Sequence, residues 1–515
     1  MNKIKIKTTS KLKTAVVFAT LSIASGSGYS FEMDIGSYKA NIDTSLSAGI
    51  SVRSADPDPV LAASSKGDAN FEKNDIVSSP LKGSNDIKIA NDTRGVFVRF
   101  TYLYDPTIED KSDAEIPDQA KGRLGHDLRL LDAFLFSTFM IGEKTLEARL
   151  GNQVVSWGES TFIQGGINSI NPLDVGRLLM PGSEVKEGLL PAPIAWFSLP
   201  DIFPYTGLEF YYQSEWDETE LPPVGTFFSP SDLLGEGDGG DLSIPGYEML
   251  GGVPKGADKT GRDDSQFGIR LSTVIPKLDY AELGFYFVRY HNQMPVLNGS
   301  PVTAFIPNPS SAVPPFLPVL GTATYFWEYP EKTRLYGMSY NYQLGEAALQ
   351  GEISYRPNFV VGMPQSNVIG ALLSGQPAAP YERMGYYQAQ TTATQFFNNV
   401  AGSDRITVVA EAGVAWLEGD AVDPGIDGEA WGVTGAVIVD YFDVYKGVTL
   451  APNVSFDWNL KGTLGPFSDN SKEIKVGLEA KFVDTWSTSI SYVDYFGDSI
   501  YEDRDIVTVD AKYAF

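Results

Sequence analysis

The sequence has no cysteine and only two histidines in 515 residues. The first absence removes disulfides, so an exported chain of this kind must be stable without them. The second leaves too few nitrogen ligands for a zinc site. Basic residues are scarce as well: 39 Lys and Arg stand against 65 Asp and Glu, a formal net charge of −26. Such a chain repels phosphates, which excludes nucleic acid as a partner. Past the N-terminus no stretch approaches 18 consecutive apolar residues, so no transmembrane helix is expected.

Several strong patterns are present. Residues 1–14 carry Lys3, Lys5, Lys7, Lys11 and Lys13 and no acid; AVVFATLSIA follows, then SGSGYS, with Gly28 and Ser30 at −3 and −1 of a cleavage site. This is the layout of a secretory signal peptide, 1–30, which leaves 31–515 as the mature chain. In the first mature segment Tyr38, Ala40, Ile42, Thr44, Leu46, Ala48, Ile50 and Val52 alternate with Lys39, Asn41, Asp43, Ser45, Ser47, Gly49, Ser51 and Arg53. A period of two is a strand with unlike faces, and this one is longer than most soluble strands. The same pattern recurs to the last residue, where DIVTVDAKYAF ends on Phe515.

Fifteen such stretches are legible, and a sixteenth is expected near 381–397 inside the long connection 357–404. Tight connections (276–279, 344–346, 443–446, 483–485) contrast with long ones (53–85, 158–205, 217–264, 291–330, 357–404). Short turns on one side and long loops on the other describe an all-β, antiparallel transmembrane barrel of about 16 strands, within 14–18, in the outer membrane of a Gram-negative bacterium. Eighteen strands would follow if 105–126 and 158–205 each concealed one. Counting back from the C-terminus puts 158–205 on the periplasmic side and makes GEK, 142–144, an external turn. Aromatic residues near strand ends (Tyr102, Tyr104, Trp216, Trp416, Trp431, Trp458, Trp486, Tyr492) suit interfacial girdles. A terminal aromatic on the closing strand suits recognition by the barrel assembly machinery. The competing reading is a large soluble β-protein of the periplasm.

One region breaks the alternation: GNQVVSWGESTFIQGGINSINPLDVGRLLMPGSEVKEGLLPAP, 151–193. It mixes Gly, Asn and Pro with Ile, Leu, Met and Phe, which predicts a segment folded into the lumen as a plug or constriction. Alternation places Glu147, Arg149, Gln153 and Trp157 on the inward face, and Gly158 is suited to turning the backbone off the wall. The charges of the segment, Glu159, Asp174, Arg177, Glu184, Lys186 and Glu187, have both signs. They either pair to rigidify it or meet a solute directly. Glu159 and Arg177 are expected to pair across the pore.

The blocks LGNQVVSWGES, INPLD and PGSEVKEGLLP resemble a family of large Gram-negative outer-membrane proteins catalogued as a domain of unknown function, over nearly the whole mature chain. The shared block is Gln153, Trp157, Gly158, Glu159, Asn171, Pro172, Pro181 and Gly182. The resemblance implies a barrel working beside a periplasmic lipoprotein and a resistance-nodulation-division (RND) type inner-membrane transporter, associated with movement or breakdown of hydrophobic compounds.

Catalysis has little to stand on. His126 beside Asp127 and His291 after FVRY both read as rim positions, and nothing marks a serine in SYVDY or GES as a nucleophile. The chain is read as no enzyme, without cofactor or metal. The acidic loop 217–264 includes EGDGGD at 236–241, which suits calcium or, more simply, a solvated surface near lipopolysaccharide and the outer-membrane lipids. The expected function is transport of a bulky, largely hydrophobic small molecule between outer membrane and periplasm, gated by 151–193. The alternatives are a general diffusion porin for polar solutes and a surface binding or adhesion barrel.

Overall fold

The computed structural model describes residues 31–62, 65–112, 114–235, 237, 240–244, 250–308, 316–420, 425–483 and 485–515. The expected signal peptide lies outside them. Eighteen strands form the wall: β1 (Tyr38–Arg53), β2 (Leu81–Ala90), β3 (Arg94–Tyr104), β4 (His126–Ile141), β5 (Lys144–Gln153), β6 (Ala192–Phe203), β7 (Thr206–Gln213), β8 (Gln266–Ile275), β9 (Ala281–Tyr290), β10 (Thr333–Leu344), β11 (Ala347–Gly362), β12 (Tyr381–Asn398), β13 (Arg405–Leu417), β14 (Glu429–Tyr445), β15 (Val448–Lys461), β16 (Ser471–Phe482), β17 (Trp486–Gly497) and β18 (Ile506–Ala514). Each pairs antiparallel with the next. β18 closes on β1, in register from Ser45↔Ala514 to Arg53↔Ile506. Closure removes the open edge that lipid could not satisfy.

The two-residue period sorts the side chains. On β16, Glu473, Lys475, Glu479 and Lys481 share the inward face, while Ile474, Val476 and Leu478 face out. Val476 is 49% exposed and Leu135 on β4 is 62% exposed. An apolar belt on the outside with a polar inside is the inverse of a soluble barrel, and it is satisfied in a bilayer. The chain is an outer-membrane β-barrel. Among the described residues no helix is long and apolar enough to cross a membrane.

The strand count corrects the expected sixteen. β12 is the concealed strand anticipated at 381–397, and β6 lies within 158–205, where the eighteen-strand alternative placed a hidden strand; β2 was not anticipated. The outward face of β2 is broken by Gly83, over which the Tyr102 ring lies so closely that a Cβ would collide with it. β6, APIAWFSLPDIF, is apolar on both faces and holds two prolines. Its inward Ile194 and Trp196 are buried because something covers that stretch of wall. The stretch 105–126 hides no strand; it forms short helical turns, among them Pro106–Glu109 and Lys121–Gly125, before β4 begins.

The added β6 also reverses the parity of the strands between it and β2, and β2 restores it for β1. The turn at 142–143 lies at the same end as the other tight turns and the C-terminus, which is the periplasmic end in barrels of this layout. The connection 154–191 therefore leaves from the long-loop end, not from below. Trp216, expected in a girdle, lies in a long connection with its ring against Tyr329 at 4.7 Å.

The terminal residue belongs to the closed ladder. Phe515 exchanges backbone hydrogen bonds with Thr44, at 2.9 and 2.7 Å, and its ring lies 5.0 Å from Tyr513. Phe515→Asp is expected to lower the amount of inserted barrel sharply. The lost aromatic contributes only about 1.5–3 kcal/mol; the larger loss is recognition during assembly. Heat-modifiable protein in purified outer membranes is the measurement, and wild-type levels would contradict the expectation.

Candidate functional site

The connection 154–191 is the covering element. Asn171 ties its two ends together: the side chain accepts from the Val155 amide (2.8 Å) and donates to the carbonyls of Gln153 (3.3 Å) and Leu190 (3.0 Å). Gln153, buried, donates to the Ile194 carbonyl at 2.9 Å. β5 stops at Gln153, and Trp157 beyond it also lies on the inner side of the wall. Trp157 is 2% exposed, donates through Nε1 to Glu209 at 2.9 Å, and packs on Tyr211 and Tyr286. Gly158 has φ +96, and a Cβ there would strike the Glu352 carboxylate. The turn off the wall requires glycine on both counts.

Beyond Gly158 the chain crosses to the inward faces of β11, β12 and β13. Glu352 accepts from the amides of Glu159 (2.6 Å) and Ile167 (2.7 Å). Glu411 accepts from the amides of Thr161 (3.3 Å), Phe162 (2.5 Å) and Ile163 (3.0 Å). Arg356 donates to the carbonyls of Gly165 and Gly166, both at 2.6 Å, and Gln388 to that of Gln164 at 2.8 Å. None of these wall residues was anticipated. The only signal in sequence is a charge at an inward position within a strand of small and apolar residues, as in QGEISYR and VVAEAGV.

The chain then returns along the opposite wall. Asp174 caps the turn Val175–Leu178, accepting from the Arg177 amide at 3.0 Å, and accepts from Arg129 of β4 at 3.2 Å. Arg177 donates to Asp127 (2.5 Å) and Thr101 (3.1 Å). Lys82 of β2 meets Glu187 at 3.1 Å. Glu184 meets Lys512 of β18 at 2.5 Å and Lys186 at 2.9 Å. Burial alone would raise the Glu184 carboxyl, but these two lysines outweigh it and hold it near about 2. A depressed carboxylate stabilises above its free value of about 4.3 and loses that contribution only as pH falls through about 2. This anchor therefore persists in mild acid.

The expected Glu159–Arg177 pair does not form. The Glu159 carboxylate accepts from Asn341 of β10 at 3.2 Å, whereas Arg177 sits against β3 and β4. The two are near in sequence and on opposite walls. Glu147 and Arg149 do face inward, nearer the tight-turn end. Arg149 lies over the Trp196 ring at 4.5 Å, exposed to the lumen.

One open part of the lumen, among the described residues, lies between residues 178–183 and the inward faces of β15–β18. It is a cavity of about 410 Å³ lined by Asn453, Glu473, Lys475, Glu479, Ser489, Ser491, Thr508, Asp510 and Lys512. Among the described residues no group of His, Asp and Glu is placed to hold a metal ion. His126 is hydrogen-bonded to Glu109, and His291 to the Asp264 carbonyl (2.8 Å) and the Lys332 amide (2.9 Å). Among the described residues neither histidine is hydrogen-bonded to a serine. Within EGDGGD, residues 236, 238 and 239 lie outside the described residues, as does any calcium reading that depends on them.

The family model described as "Protein of unknown function (DUF1302)" matches residues 11–515. No curated protein sequence matches the chain. Among solved structures, OccAB1 of Acinetobacter baumannii is 9% identical, with 92% of this chain and 96% of that one covered and a TM-score of 0.46. Pseudomonas aeruginosa OpdK, solved with vanillate, is 9% identical at 92% and 98% coverage, TM-score 0.43. P. aeruginosa OccK2 (OpdF), in complex with glucuronate, is 10% identical at 92% and 98%, TM-score 0.42. The likeness is one of fold. The expected hydrophobic cargo is corrected here, because the cavity between residues 178–183 and β15–β18 exposes mainly polar groups, among them Glu473, Lys475, Glu479, Asp510 and Lys512. The wall of the 410 Å³ cavity presents charges, hydroxyls and an amide as the larger part of its surface, beside apolar groups such as Leu178, Met180, Phe228 and Ile490.

Proposed function

The chain belongs to the DUF1302 family, and from that premise we propose that it is a diffusion channel for small polar solutes across the outer membrane. In this reading the segment 151–193 is the constriction. The observation that carries it is the polar cavity of about 410 Å³ left between that segment and β15–β18. An 18-strand barrel is wide enough to hold an aqueous channel. The segment occupies the β1–β4 and β11–β13 sides and leaves the β15–β18 side to water. Glu473, Lys475, Glu479 and Asp510 keep that path hydrated and would reject an apolar solute, which cannot replace their water. The partners implied by the family resemblance, a periplasmic lipoprotein and an RND-type transporter, would dock at the tight-turn end; co-purification from the host tests that finer part.

The experiment for the main reading is reconstitution of purified barrel into planar bilayers and liposomes. Stepwise ionic conductance, with liposome swelling in a small sugar or amino acid, is the expected result. A heat-modifiable barrel that inserts yet stays silent in both assays would overturn it.

A further inference from the structure

The long connection between β7 and β8 does not stay above its own strands. It first pairs with the inserted segment: the Glu220 amide donates to the Leu173 carbonyl (2.7 Å) and the Val175 amide to that of Glu220 (2.9 Å). Residues 222–232 then reach the seam where β18 meets β1. Seven strands, β1–β7, lie between that seam and the connection on one side and eleven, β8–β18, on the other, so the stretch crosses the mouth. On the far side it is seated by its backbone. Asn70 donates to the Gly225 carbonyl (2.9 Å) and Ser65 to that of Ser229 (3.1 Å), while Asp232 accepts from the Lys66 amide (2.8 Å). Arg504 donates to the carbonyls of Phe227 (2.5 Å) and Ser229 (3.0 Å).

The seat is itself fixed. Arg504 belongs to a buried ion network with Asp68, Arg53 and Asp503, which joins the end of β1, the connection after it and the β17–β18 connection. Losing one partner of such a network leaves a buried charge unpaired and is strongly destabilising, so these connections are held together. The Phe227 ring packs on Phe71 at 5.8 Å and under the guanidinium groups of Arg53 and Arg504, at 5.5 and 5.9 Å. The next residue is thereby aimed at the lumen. The Phe228 ring lies 5.6 Å from Tyr501 and 6.4 Å from Tyr495. Among the residues lining the 410 Å³ cavity, it is the one that comes neither from 178–183 nor from β15–β18. Tyr495 and Ile506, which line the cavity beside it, stand at the long-loop ends of β17 and β18. Phe228 therefore roofs the cavity at its external end.

On the reading that solutes pass through this cavity, we propose that residues 222–232 are the outer gate of the channel. Phe228 sets the size of solute that enters from outside, and Arg504 is the positioning residue that holds the gate in its seat. An apolar ring narrowing a hydrated path is a barrier to any solute that must keep its water. This gate acts before 151–193, since a solute passes Phe228 before it runs along residues 178–183.

The chain has no cysteine, so one placed in the cavity reports on access. Lys475→Cys, exposed on the cavity wall, is reconstituted into a planar bilayer. Fluorescein maleimide is added to one chamber or the other, and its reaction blocks the current. In this background, replacing 222–232 by Gly and Ser at equal length should speed the block about tenfold or more from one chamber and leave the rate from the other unchanged. Phe228→Ala, which keeps the seat at Arg504, should give the same one-sided change to a smaller degree. It decides the question if the longer replacement is not heat-modifiable. Arg504→Lys keeps the charge but loses the planar fork that reaches both carbonyls, and it should act from the same chamber. Rates unchanged from both chambers overturn the proposal, because the stretch is then no barrier. Rates raised alike from both overturn it too, because the stretch then only braces the barrel. The channel reading survives either result. A barrel that inserts and passes no current overturns both.

Discussion

Excising residues 160–185 and joining the ends with a short Gly-Ser linker should raise single-channel conductance several-fold. It should also let the outer membrane pass a large antibiotic that the intact barrel rejects. The wall is self-sufficient: every strand pairs with both neighbours, and β18 closes on β1. The segment contributes no strand to that ladder, so its removal leaves the closed sheet and its lipid-facing belt in place. With it present, the open side of the lumen holds about 410 Å³, room for about fourteen waters at ~30 Å³ each. Without it, the inward faces of β1–β4 and β11–β13 are added to the water-filled cross-section. The groups uncovered there include the charged Glu352, Arg356, Glu411 and Lys82, which water solvates as soon as the segment leaves, and an apolar stretch around Ile194, Trp196, Val288 and Leu335, so heat-modifiability of the variant is checked first. Trp157, Gly158 and Asn171 show why smaller changes will do less. Trp157→Ala leaves Glu352, Glu411, Arg356 and Glu184 still gripping the segment. A deletion variant that inserts normally, with wild-type conductance and wild-type antibiotic exclusion, would remove 151–193 from any constricting role.

The wall was legible where its two faces differ and illegible where they do not. β1 and β18 are read directly from alternation, and β12 from the parity of the strands around it. β2 failed because Gly83 yields its place to the Tyr102 ring, and β6 because the segment makes its inner face a protein core. Alternation along β5 is the sequence signal that pointed Trp157 inward. The grip on the segment could not follow, since Glu352 meets the amide of Glu159 across 193 positions of sequence. Backbone amides also carry no residue signature that could advertise such a contact. The same blindness produced the false Glu159–Arg177 pair: nearness in sequence suggested contact, while the segment in fact carries the two residues to opposite walls.

The open channel should favour cations, and the preference should come in two separable parts. The nine connections at the long-loop end hold 38 Asp and Glu against 12 Lys and Arg. The rest of 31–515 holds 27 Asp and Glu against 22 Lys and Arg, so most of the negative charge of the mature chain lies at the external mouth. An acidic rim raises the local concentration of cations and lowers that of anions. Deeper in, the cavity is lined by Glu473, Glu479 and Asp510 against Lys475 and Lys512, and Lys512 is neutralised by Glu184. Salt separates the two parts. The Debye length is about 10 Å at 0.1 M and about 3 Å at 1 M, so the contribution of the wide mouth fades at high salt while that of charges at the path itself remains. Reversal potentials under a tenfold KCl gradient should show cation preference, larger when both solutions are dilute. Glu473→Gln/Glu479→Gln should reduce the part that survives at high salt, and truncating the acidic loop 217–264 should reduce only the part seen at low salt. Anion preference in the wild-type barrel at low salt would sink this account. It would mean that Lys475, which lines the cavity, outweighs the acidic mouth and sets selectivity alone.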